Sequence, residues 1–91
     1  MNWNVKYTPT AAKAIRKLDP GTRAQVRAAI ERLIEDPTRG KPLQLTLKGL
    51  RSWRTSDWRI VYRVTKTRLE ILIVAVGHRR DVYDRIHERL K

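Results

Sequence analysis

The main change in the spacing of hydrophobic residues along this chain is from a helical period before Pro37 to a two-residue alternation after Leu50. That change calls for a helical part followed by a strand-rich part. A short alternation also opens the chain, where Trp3, Val5 and Tyr7 interleave with Asn2, Asn4 and Lys6 as in a half-buried strand. Thr8-Pro9-Thr10 breaks it and offers a hydroxyl cap to a short helix whose Ala11, Ala14, Ile15 and Leu18 share one face. Asp19-Pro20, an acid at the cap and a proline at the first turn, starts a second helix that runs to about Asp36. Its buried stripe is Val26, Ala29, Ile30, Leu33 and Ile34, while Arg23, Arg27, Glu31 and Glu35 face water. Pro37 ends this helix, and residues 36–42 read as a loop.

After Leu50, turns at Thr55-Ser56-Asp57 and Lys66-Thr67 divide the chain into three strands, and connections this short join antiparallel neighbours. Trp58, Ile60, Tyr62 and Val64 fall on one face of the middle strand, with Arg59, Val61 and Arg63 on the other. Residues 69–76 are apolar at nearly every position, as in an interior strand covered on both faces. Val82, Ile86 and Leu90 mark a short C-terminal helix. The expected fold is therefore α+β. Two N-terminal helices pack on one face of a small, mainly antiparallel sheet, with a short C-terminal helix, in a single domain spanning residues 1–91. Trp3, Trp53, Trp58 and Tyr62 are expected in the core, and the second sheet face is left for function.

Charge says what that face meets. The chain carries 21 Lys and Arg against 9 Asp and Glu, a formal charge of +12, which calls for a polyanionic partner, nucleic acid before an anionic membrane. Residues 39–68 hold nine of the basic residues and the single acid Asp57, whereas the helices mix both signs. No apolar run approaches the roughly 20 residues that span a bilayer, and the polar start lacks a signal peptide's regions, so a cytoplasmic protein with no membrane partner is expected. The absence of cysteine excludes disulfides and thiolate chemistry. With only His78 and His87 besides, neither a metal site nor a cofactor is expected.

Three stretches together carry a resemblance. Residues 47–64 contain Leu47-Lys48-Gly49, then Trp53-Arg54, a tight turn, and Trp58-Arg59-Ile60-Val61-Tyr62. Val76-Gly77-His78-Arg79-Arg80-Asp81-Val82-Tyr83 follows, and Leu33-Ile34-Glu35-Asp36-Pro37 with Gly40 and Leu43 precedes. In this order and spacing the chain resembles the RelE/ParE family of toxins from type II toxin-antitoxin systems.

The resemblance implies an endoribonuclease that needs no metal, cutting messenger RNA on the ribosome, and silenced by a cognate antitoxin protein. In the ParE branch it implies instead a non-enzymatic inhibitor of DNA gyrase. By matching position, Arg59 stabilises the phosphate, Arg79 assists the leaving group or its charge, and Tyr83 orients or stacks on the substrate. Arg54 is a further catalytic candidate. His78 is another, because an imidazole exchanges protons near neutral pH. Lys48, Arg51, Arg63 and Arg80 are expected to bind RNA. The RNA-cleaving prototype has lysines where this chain has Leu50 and Ser52, which leaves the general base open.

Overall fold

A computed structural model describes residues 3–42 and 49–78. It shows the expected α+β architecture: helices α1 (Pro9–Arg16) and α2 (Pro20–Glu35) lie on one face of a five-stranded sheet. The strands are β1 (Asn4–Tyr7), β2 (Lys41–Pro42), β3 (Arg51–Thr55), β4 (Trp58–Thr65) and β5 (Glu70–His78), in spatial order β1-β5-β4-β3-β2. The C-terminal helix expected over residues 81–90 lies outside the described residues. No helix among the described residues is long and apolar enough to cross a membrane.

Both helices start where their caps dictate. The Thr8 hydroxyl accepts from the Ala11 amide at 3.1 Å, and Asp19 accepts from the Thr22 amide at 3.1 Å, each just before a proline that gives up no needed hydrogen bond. The end of α1 is closed from α2. Arg23 donates to the carbonyls of Ile15, Arg16 and Leu18 at 3.3, 2.9 and 2.8 Å, so this side chain, expected to face water, acts as a cap.

The core forms between the helices and one sheet face. Ala11, Ile15, Val26, Ala29, Ile30 and Leu33 meet Ile60, Tyr62, Ile71, Ile73 and Val76, with Trp3, Trp53 and Trp58 packed partly against them. On the edge strand β1, Val5 packs partly against this core, whereas Tyr7 is 44% exposed.

Three features lie beyond the reading from period alone. First, β1 pairs with β5 in parallel, Val5 opposite Ile71, while the other pairings are antiparallel. Second, the expected loop of residues 36–42 contains a 3₁₀ turn (Pro37–Arg39) and the two-residue β2, which pairs Lys41 with Ser52 and Pro42 with Arg51. Third, β5 carries a bulge. Val61 pairs with Ala75 but Tyr62 with Ile73, so Val74 is the extra residue and the core series runs Ile71, Ile73, Val76. The Val74 carbonyl accepts from the Thr8 hydroxyl at 3.0 Å, which ties the cap of α1 to the bulge.

The second sheet face is not wholly open. Val61 is fully buried and Leu50 nearly so, yet neither belongs to the helix-side core. Arg59 and Arg63 flank Val61 on this face, by strand alternation.

Candidate nucleic-acid interface

The interface begins with a turn. Ser56 and Asp57 connect β3 to β4, with Ser56 in a left-handed conformation at φ 54° and Thr55 paired with Trp58. A two-residue connection leaves no freedom of register, so the next pair outward is Arg54 opposite Arg59. Side chains directly opposed on adjacent strands have Cβ atoms about 5 Å apart, and like charges so placed repel. Among the described residues, no acid is paired with either guanidinium. Their β5 neighbour on this rung is Gly77, opposite Arg59, which adds no side chain to the face.

One same-face rung along, about 7 Å by strand rise, Ser52 pairs with Val61 on one side and with Lys41 on the other. Together these rungs border a cavity of about 540 Å³ lined by Arg39, Lys41, Pro42, Ser52, Trp53, Arg54 and Arg59. None of these lining residues is acidic. The arrangement can hold an extended anion, since arginine forks and a lysine ammonium together offer charge and several donors to phosphate oxygens.

The loop that carries Arg39 and Lys41 is fastened from beneath. The Gly40 amide donates to the Tyr62 hydroxyl at 3.0 Å, and that hydroxyl donates to the Pro37 carbonyl at 2.7 Å. Burial pushes the Tyr62 phenol above its ordinary pKa, against the opposing effects of the Gly40 hydrogen bond and the Arg51 charge, so the donor proton is retained. Arg51 donates to the Gly40 carbonyl at 2.7 Å and to the Thr38 carbonyl at 3.5 Å. Arg39 is oriented by its own Nε–H, given to the Arg32 carbonyl at 3.2 Å, and by Glu35 at 3.8 Å.

The expected site residues therefore separate. Arg54 and Arg59 stand together in the groove. Arg51 is on the helix-side face, opposite Tyr62, with its guanidinium engaged by the loop. Arg63 is exposed on the groove's face, four residues beyond Arg59 and on the far side of Val61, and is not among the residues that line the cavity. His78 pairs with Trp58 and meets its ring edge-on at 5.3 Å, with Nε2 4.0 Å from Asp57. This puts His78 on the opposite face from Arg59, so the structure does not bring these two together. Lys48, Arg79, Arg80 and Tyr83 lie outside the described residues. Arg39 and Lys41 line the cavity without having been expected there, because a single 3₁₀ turn and a two-residue strand leave no periodic trace; their only signal is a basic pair around Gly40.

Among the described residues, no group of three or more His, Asp or Glu is placed to hold a metal ion.

The family model of the ParE toxin of the type II toxin-antitoxin system parDE matches residues 5–83. The chain is similar to toxin RelG of Mycobacterium tuberculosis, 37% identical over 87 residues that cover 93% of this chain and 100% of the relative. Toxin RelE of the same organism is 32% identical over 83 residues, covering 89% of this chain and 86% of the relative. Among solved structures, the toxin-antitoxin complex RelBE2 from M. tuberculosis contains a chain that superimposes with a TM-score of 0.80 at 34% identity, over 87% of this chain and 100% of that one. The isolated Escherichia coli RelE toxin matches with a TM-score of 0.74 over 98% of this chain and 99% of that one, and at 21% identity this likeness concerns the fold alone.

Proposed function

Because the chain belongs to the RelE/ParE family of type II toxin-antitoxin toxins, we propose that it is an endoribonuclease that cleaves messenger RNA on the ribosome in the cytoplasm. The observation that carries this reading is the Arg54–Arg59 pair, two arginines directly opposed on neighbouring strands that border the basic groove and pair with no acid among the described residues. In RNA cleavage by the substrate's own 2′-hydroxyl, that oxygen forms a bond to phosphorus and the bond to the leaving 5′-oxygen breaks. Negative charge builds on the phosphate oxygens between these events. Guanidiniums positioned beside that charge stabilise it as it develops and so lower the barrier. Arg79 and Tyr83 keep the leaving-group and substrate-orienting roles that the family resemblance gives them.

The partner proposed is a cognate antitoxin, since a relative at 34% identity is seen in a toxin-antitoxin complex and a surface of formal charge +12 favours an acidic segment. The family model named for ParE supports a second reading, inhibition of DNA gyrase by contact. Expression in cells separates the two. Nuclease action removes full-length transcripts before any DNA-damage response, whereas gyrase inhibition induces that response with transcripts intact and blocks supercoiling by purified gyrase.

A further inference from the structure

We propose that Lys41, with Arg39, forms a second phosphate site that grips the RNA backbone beside the Arg54–Arg59 pair, an inference that rests on the nuclease reading for the identity of its ligand. Strand pairing sets the geometry. Lys41 is opposite Ser52, and Arg54 is two residues further along the same strand and face, so Lys41 and Arg54 are diagonal neighbours with Cβ atoms about 7–8 Å apart. Lys41 is exposed and pairs with no acid among the described residues. Arg39 is held in orientation by Arg32 and Glu35, and the loop between them is fixed through Gly40 by Tyr62 and Arg51. A cation on a fastened loop loses less freedom on binding than one on a mobile loop. The groove thus offers two cationic positions in succession, one at the hairpin for the reacting phosphate and one at β2 for its neighbour. This arrangement selects an extended single strand, whose backbone can follow the groove from one position to the next.

The test is a titration of the whole protein with a short 2′-O-methyl oligoribonucleotide, which cannot undergo the cleavage, followed by fluorescence anisotropy across a series of salt concentrations. Lys41→Ala reduces the slope of log affinity against log salt by about 0.7, the loss of one single-strand phosphate contact. Lys41→Arg restores it, and Lys66→Ala, which removes a charge from the exposed turn beyond β4, leaves it as in wild type. An unchanged slope in Lys41→Ala, or an equal reduction in Lys66→Ala, overturns the site. Cleavage of ribosome-bound message by the wild type is scored in parallel. A reduced slope without wild-type cleavage keeps this site and removes the nuclease reading; wild-type cleavage with an unchanged slope does the reverse.

Discussion

The Tyr62 hydroxyl, fully buried on the middle strand, accepts the Gly40 amide proton at 3.0 Å and thereby joins the sheet to the loop bordering the basic groove. A Cβ on Gly40 would overlap that hydroxyl and come within 2.8 Å of the Ser52 carbonyl. Glycine is required here by close approach, as its φ of −73° is open to any residue. Gly40→Ala is expected to destabilise the protein by about 1–3 kcal/mol through overpacking. Tyr62→Phe should cost about as much by leaving the buried Gly40 and Pro37 groups unpaired. Urea denaturation of the two variants checks both values.

Arg54 and Arg59 predict a separation of stability from activity. Since the two charges repel across the strands, Arg54→Ala should leave stability unchanged or raise it by up to about 1 kcal/mol. The same variant should lose RNA affinity and toxicity. Denaturation midpoints and growth assays on one set of variants would reveal the opposite movements, and a strongly destabilised Arg54→Ala would mean that the pair is a structural contact.

Arg23 closes the end of α1 with three hydrogen bonds to carbonyls. Arg23→Ala is expected to cost roughly 1–2 kcal/mol. Lysine, which lacks the planar fork, should recover only part of it. Thermal melting of both variants is sufficient to decide.

Acid should loosen the helix caps. Hydrogen bonds from the Thr22 side chain and amide hold the Asp19 carboxyl below its ordinary pKa, and those from Thr38 do the same for Asp36. A carboxyl depressed on folding contributes stability in full above its unfolded pKa of about 3.9 and loses it as pH falls through the lower folded value. Melting temperature should therefore drop below about pH 4. Asp19→Asn with Asp36→Asn should flatten that drop, and an unaltered acid limb in the double variant would assign acid unfolding to other groups.

Much of this molecule was legible in local spacing. Asp19-Pro20 and Pro37 bracket α2, and the alternation of Trp58, Ile60, Tyr62 and Val64 identifies the core side of β4. The turn between the two strands was legible too, but the Arg54–Arg59 pairing was not, because Thr55, read as part of the turn, belongs to β3 and pairs with Trp58. What stayed hidden depends on contacts distant in sequence. Nothing near Asn4 says that it will lie parallel to β5, and a continuous apolar run cannot disclose the bulge at Val74 that moves the core series from Ile73 to Val76. The same limit explains Arg51 and His78. Composition counts both as available groups, whereas the register turns Arg51 toward Gly40 and His78 toward Trp58. Lys41 joins the groove only because two residues pair with β3.

The central claim is tested most directly by primer extension on a defined message in a purified translation system, comparing the wild type with the Arg54→Ala/Arg59→Ala variant. The groove predicts cuts within the reading frame that require ribosomes and vanish in the variant while its fold persists. An intact message in the presence of wild-type protein that still arrests growth would contradict the nuclease reading and turn attention to gyrase.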